Sequence, residues 1–336
     1  MKPKDRQNIL LSLSKFIEDN RVEILKLETT SFKPNPNIDI DMAIDICRFY
    51  AGVSRCLQSH PQDEYNNTCT SSVRYEPIGH CLGVIPWNYP LTISMWKVAP
   101  ALAAGCSIDI KLNNKNVGSV EFIFNNWKSK LNVSVVDNID FNKYDFIDVT
   151  GSKETATYFK NNHPNVIADV GGASIAIVED GDIDFIAKNL EWSIKYNGGA
   201  DCTSPKHIFC KTNMYAQIIK KLNCVVPNDI GDIDHFNPIA TISSYSVIDE
   251  LIDDINILKN RLGLHLYTNN LTIQRLISKK AKWGNIFINK PLTTPIEMPH
   301  SGLGMSGNSF NQSTNKVYQY LVPKHIVVGD QSNSLI

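Results

Sequence analysis

The chain has 336 residues, 43% hydrophobic and 20% charged, enough apolar material for one large domain or two or three smaller ones. Its 33 lysines and arginines against 34 acidic residues give a net charge of −1, which excludes the broad basic face of a nucleic-acid binder. No apolar run is long enough to span a membrane, and the eight cysteines (47, 56, 69, 81, 106, 202, 210 and 224) show no CxxC or Cys/His metal spacing. Scattered thiols in a chain of this size read as reduced, which predicts a cytoplasmic protein without a metal site.

The N-terminus, MKPKDRQNILLSLSKFI, spaces Ile9, Leu10, Leu13 and Ile17 as one face of a helix. No small-residue cleavage site follows, so it reads as a helix and not as a leader. Helical patterning continues to about residue 55, where Ile44, Cys47 and Tyr50 or Ala51 share a side. The polar segment SHPQDEYNNTCTSS then leads to VRYEP, which alternates like a strand.

From Ile78 the pattern becomes strand, helix, strand, helix. GHCLGVIPW is an apolar strand, and Pro90 to Ala104 is a helix with proline at its start and Gly105 just past its end. CSIDIKL, NVSVV, FIDVTG and NVIADVGG are further strands, separated by helices around EFIFNNWKSKL and TATYFKN. The alternation restarts with ASIAIV, a helix from Asp184 to Tyr196, and the strand KHIFCKT. Helices around VIDELIDDINILKN and LTIQRLISKKA flank the strand GLHLYT, and NIFIN follows. The tail KVYQYLVPKHIVVG is a strand whose proline suits an edge. Repeated βα units with near-continuous apolar strands predict a parallel sheet covered on both faces.

The segment YNGGADCTSPKHIF sets Cys202 after a glycine-bearing turn and before a strand. Backbone N–H groups in such a turn favour a thiolate, although a cysteine there also fits as a buried hydrophobe. Asp201 beside it would raise the thiol's pKa. Asn88 reads either as a polar donor or as a turn residue before Pro90. Asp169, at a strand end, reads either as a general base or as a carboxylate accepting backbone N–H bonds. There is no GxGxxG fingerprint.

Taken in order, EPIGHCLGVIPWNYPL, WKVAPALAAGCSIDIKLN, VTGS, DVGGASIAIV, NGGADC, FNP and PHSGLGMSG resemble the aldehyde dehydrogenase superfamily over nearly the whole chain, with a faint similarity to its succinate-semialdehyde branch. The resemblance implies an α/β fold in three parts. A Rossmann-like parallel-sheet domain would span residues 1–168, with an oligomerisation strand inserted at about 60–77. A second α/β catalytic domain would span 169–307, and a C-terminal oligomerisation strand 308–336. It further implies oxidation of an aldehyde to a carboxylic acid with NAD or NADP, in a homo-oligomer at least dimeric.

In that scheme Cys202 attacks the aldehyde, and Asn88 with the Cys202 N–H receives the oxyanion. Asp169 is the general base, one methylene shorter than the family's glutamate. Lys111, after the second strand, would contact the adenosine ribose, and Gly151 and Ser152 would present a helix N-terminus to the pyrophosphate. Pro86, Trp87 and Gly171 would line the cofactor site, although Trp87 and Trp96 also suit packing. Asn114 stands where a ribose-binding glutamate is expected, which leaves NADP open. Asp234 and Phe236, in DHFNP, would anchor the nicotinamide ribose. His300 would border the substrate mouth, whereas His80, His207 and His265 alternate with apolar residues as strand-packed histidines do.

Three spans are short beside the family pattern. The link DNIDFNKYD replaces a longer stretch that walls the adenine pocket, only 32 positions separate Cys202 from Asp234, and the usual N-terminal strands are not present. With two glutamate positions occupied by aspartates, a catalytically silent homologue with a binding or structural role is the alternative. Ester or thioester hydrolysis by the same cysteine is a third reading.

Overall fold

Three helices come first, α1 (Pro3–Asp19), α2 (Arg21–Leu27) and α3 (Asn37–Val53). This computed structural model describes residues 1–28, 37–57, 60–66, 69–113, 118–172, 174–227 and 238–329. Pro3 occupies the first turn of α1, where its missing N–H costs nothing, and Ile9, Leu10, Leu13 and Ile17 form the buried stripe. Strands β1 (His60–Asn66) and β2 (Cys69–Pro77) then pair antiparallel.

The first set of βα units comprises β3 (His80–Ile85), α4 (Pro90–Ala104), β4 (Ser107–Leu112), α5 (Gly118–Asn126), β5 (Val133–Val135), β6 (Phe146–Gly151), α6 (Lys153–Asn162) and β7 (Val166–Val170). The strands form one parallel sheet in the order β5-β4-β3-β6-β7. Alternation along β3 turns Cys81 and Ile85 to one face and Leu82 and Val84 to the other. The first face packs on α4, which lies between the sheet and helices α1 and α3. The second packs on Ala156 and Phe159 of α6. Each large aliphatic side chain buried in this way contributes about 1.5–3 kcal/mol. All fifteen residues of α4 are buried, and Gly105 ends the helix in the left-handed conformation, at φ +99°.

A second parallel sheet follows from β8 (Ser174–Val178), α7 (Ile183–Lys195), β9 (Pro205–Lys211), α8 (Thr212–Lys221), β10 (Val225–Pro227), β11 (Ala240–Tyr245), α9 (Ile248–Asn256), β12 (Asn260–Arg261), β13 (Gly263–Tyr267), α10 (Leu271–Lys280) and β14 (Asn285–Ile288). Its order is β10-β11-β9-β8-β13-β14, and β12 stands outside it. The chain returns through short pieces, β15 (His300–Ser301), β16 (Leu303–Gly304) and β17 (Phe310–Asn311). Here β15 pairs with β17 and β16 with β12. Finally β18 (Leu321–Gly329) runs antiparallel along β2 as an edge strand, with Pro323 opposite Tyr75.

The architecture is the expected one, two parallel α/β sheets and a small antiparallel sheet. Two details differ from the sequence reading. Residues Thr314–Tyr320 are a 3₁₀ helix that buries Lys316, Val317 and Tyr320, so the tail strand begins only at Leu321. Helix α8 and strands β10 and β11 extend the second sheet where no elements were foreseen. Among the described residues no helix is long and apolar enough to cross a membrane.

Candidate active site

In an open parallel sheet, ligands bind beyond the carboxyl ends of the strands, where the strand order reverses. Here that point lies between β3 and β6. A cleft of about 640 Å³ opens there, lined by Pro86, Trp87 and Asn88 after β3, Lys111 at the end of β4, Gly151 and Ser152 at β6, and Asp169 and Gly171 at β7. Cys202 lines the same cleft, so the described catalytic and cofactor-site candidates named above surround one cavity. Asn114, Asp234 and Phe236 lie outside the described residues.

The turn before Cys202 uses Asn197, Gly198 and Gly199 at φ +50°, +62° and +80°. Glycine takes such angles without strain and asparagine tolerates them, which accounts for the Asn-Gly-Gly run. Asp201 stiffens the turn. Its Oδ1 accepts from the Thr203 backbone N–H at 2.8 Å and the Thr203 hydroxyl at 2.7 Å, while Oδ2 accepts from the Tyr89 hydroxyl at 2.9 Å. Burial, then the charges of Asp201 and Asp169, push the Cys202 thiol well above its ordinary value. The resting group is therefore a thiol and not a thiolate.

His300 Nε2 lies 3.7 Å from Cys202 Sγ, and the ring packs against Trp96 with centroids 5.6 Å apart. Among the described residues its buried Nδ1 has no hydrogen-bond partner. Burial lowers the imidazole's pKa, opposed by Asp169 and Asp201. Asn88 is buried, donating from Nδ2 to the Ala200 carbonyl at 2.7 Å, while its backbone carbonyl accepts from Asn197 Nδ2 at 3.1 Å. An amide nitrogen carries two hydrogens, so one remains for a ligand.

Asp169 is 6% exposed, and burial raises its pKa against the opposing charges of His300, Lys97 and Lys316. The Asn311 side-chain amide donates to its Oδ2 at 2.6 Å. Gly307, at φ +129°, bridges to Asp169; a Cβ there would stand 2.4 Å from the Ala168 carbonyl oxygen. The glycines of the PHSGLGMSG loop thus let it press on the end of β7.

Behind Asp169 is a fully buried ion group. Lys97 Nζ binds Asp148 Oδ1 at 2.7 Å, and Lys316 Nζ binds Oδ2 at 2.7 Å. The Tyr320 hydroxyl donates to Oδ2 at 2.8 Å, and Lys316 also donates to Ser309 Oγ at 3.2 Å. The two lysines hold Asp148 down at about 2 although burial opposes them, whereas burial brings Lys316 down to about 8.

At the other end of the cleft, Lys111 donates to the Leu112 carbonyl at 3.1 Å. The Ser152 hydroxyl caps α6, accepting from the Thr155 N–H at 3.2 Å. Glu154 folds onto the same helix terminus, where its own N–H and the Ser152 hydroxyl hold its pKa down. Glu154, Tyr158 and Phe159 line this end but were not foreseen from the sequence. An acidic residue in the first turn and aromatic residues on the following helix were the available signals. His80, His207 and His265 lie in strands as expected, with His207 bonded to Thr241 and Ser243 and His265 to the Thr203 carbonyl. Among the described residues no group of three metal-ligating side chains occurs.

The aldehyde dehydrogenase family matches residues 1–228 and 226–326. Mitochondrial aldehyde dehydrogenase of Sus scrofa is 22% identical, aligned over 96% of this chain and 79% of the relative. Retinal dehydrogenase 2 of Mus musculus is 23% identical, over 98% and 80%. Among solved structures, betaine aldehyde dehydrogenase of Staphylococcus aureus in complex with NAD+ superposes with a TM-score of 0.90 at 17% identity, covering 100% of this chain and 84% of that one. The chain belongs to the aldehyde dehydrogenase family.

Proposed function

We propose that the protein oxidises an aldehyde to the carboxylic acid with NAD or NADP, through a thiohemiacetal and then a thioester on Cys202. The observation that carries this reading is the single cleft joining Lys111 and the N-terminus of α6 to Asn88, Asp169 and Cys202. Its volume lies in the range of ligand-holding clefts.

The residues present fit a dinucleotide. Lys111 would serve the adenosine ribose, Gly151 and Ser152 the pyrophosphate at the helix terminus, and Pro86, Trp87 and Gly171 the nicotinamide end. The cofactor, when bound, supplies the hydride acceptor. The chain supplies the remaining chemistry. Sulfur of Cys202 attacks the carbonyl carbon, and the free N–H of Asn88 with the Cys202 N–H receives the oxyanion, each donor being worth about 3 kcal/mol in the transition state. Asp169, with its carboxyl raised by burial and oriented by Asn311, takes a proton from the water that cleaves the thioester.

A second cavity of about 270 Å³ meets the site at His300. Phe287, Thr293, Met298 and Gln312 line it, and among the described residues it has no lysine, arginine or carboxylate. That lining suits an uncharged aldehyde. We take residues 1–168 as the cofactor-binding part, 169–307 as the catalytic part and the tail as an oligomerisation strand. The exposed Val322, Ile326, Val327 and Val328 on β18 support a homo-oligomer, and the free cysteines support the cytoplasm as its compartment.

Calorimetric titration with NAD+ and NADP+, followed by reduced-cofactor absorbance with a panel of small neutral aldehydes, tests the reading. Binding and turnover with at least one pair are expected. Failure of both cofactors to bind at millimolar concentration would overturn it in favour of a silent homologue.

A further inference from the structure

The thiol of Cys202 rests protonated, so its attack needs a proton acceptor within reach. Among the described residues three acidic or basic groups face it, with His265 behind the turn. Asp201, on the same turn, has its oxygens engaged by Thr203 and Tyr89. Asp169, at the end of β7, is held by Asn311, and Lys97, Lys316 and Asp148 stand behind it. His300, on β15, has its Nε2 3.7 Å from the sulfur, within hydrogen-bonding range for a thiol. His265 lies behind the turn with its Nε2 on the Thr203 carbonyl.

We infer that His300 is a catalytic residue, taking the Cys202 proton as the sulfur attacks the carbonyl carbon. The inference rests on the assignment of Cys202 as nucleophile. In this step the S–H bond breaks and its proton passes to Nε2. The sulfur electron pair forms the C–S bond, and the carbonyl π pair moves to oxygen. An imidazolium and an oxyanion result, with no change in net charge.

Three observations support it besides the distance. His300 is only 3% exposed, and among the described residues its buried Nδ1 finds no partner, costly to keep unless it serves a purpose. The carboxylates of Asp169 and Asp201 both favour positive charge on the ring, so they stabilise the imidazolium once formed. The His300 ring is also fixed, packed on Trp96 and carried by a strand paired with β17. A general base so placed contributes about 10²- to 10⁴-fold.

The test is alkylation of the full-length protein by iodoacetamide, without cofactor or aldehyde, followed at the Cys202 peptide by mass spectrometry. Rates are measured from about pH 4.5 to about pH 10, opening well below the ordinary imidazole value of about 6.5, which burial lowers further. The wild-type rate is expected to rise as the imidazole deprotonates and to have levelled off by neutrality. In His300→Phe and His300→Gln the rate should rise only with the thiol's own ionisation, at least about tenfold slower near neutral pH. Matching wild-type and variant profiles, in variants with an unchanged circular dichroism spectrum, would overturn the inference. So would a wild-type profile that rises only above the ordinary thiol range, which decides the matter even if both variants misfold. A wild type that behaves as expected but oxidises no aldehyde would sink the proposed reaction and leave the role of His300 standing.

Discussion

His300 and Asn311 sit opposite each other across the β15–β17 ladder, so one short hairpin presents an imidazole to Cys202 and an amide to Asp169. Residues directly opposed in a ladder project to the same face. The nucleophile and the proposed hydrolytic base are therefore tuned from a single element, 98 residues beyond Cys202 in the chain.

Burial raises the Asp169 carboxyl, so the folded protein holds that proton more tightly than the unfolded chain does. The wild type accordingly loses stability as pH rises from the unfolded value, about 3.9, through the folded one. Asp169→Asn keeps an acceptor for Asn311 and removes this loss. Denaturant unfolding should show the variant gaining on the wild type as pH rises towards neutrality, with the difference vanishing below about pH 4. Aldehyde oxidation should fall by about 10²- to 10⁴-fold in the same variant.

Asp148 is flanked by Lys97 and Lys316, all three without solvent exposure. Asp148→Asn leaves two buried ammonium groups without their counter-ion and should cost about 3–5 kcal/mol in denaturant unfolding. Lys316→Met leaves the Lys97–Asp148 pair intact and should cost clearly less. The stabilisation from Asp148 should be present above its ordinary value of 3.8 and lost as pH falls towards about 2.

Much of this framework was legible in the sequence. Helix α4 declared both ends, through Pro90 at its start and Gly105 beyond its last turn. Local periodicity carries such elements, and the motif order carried the positions of Cys202, Asn88 and Asp169. Helix α8 was missed because it starts without a capping side chain, and β10 because three residues show no alternation. The contact of His300 with Cys202 and the binding of Lys97 and Lys316 to Asp148 join distant segments, so no local pattern announces them. Within α4, Lys97 reads as a polar interruption, and its partner is visible only once β6 is laid beside β3.

Glu154 places a carboxylate on the helix terminus proposed for the cofactor's pyrophosphate. A bound diphosphate must displace or tolerate that charge. Glu154→Gln should therefore tighten NAD+ or NADP+ several-fold in calorimetric titration at low salt. The gain should shrink at high salt, because exposed charges are screened.

In the proposed reaction Cys202 carries the acyl group. Acid quench during turnover with NAD+ or NADP+ and an aldehyde, then peptide mass spectrometry, reads it directly. An acyl mass increment is expected on the Cys202 peptide, and in Cys202→Ala neither that increment nor any reduced cofactor. Reduced cofactor formed by Cys202→Ala at the wild-type rate, or an acyl group found on another cysteine, would contradict it.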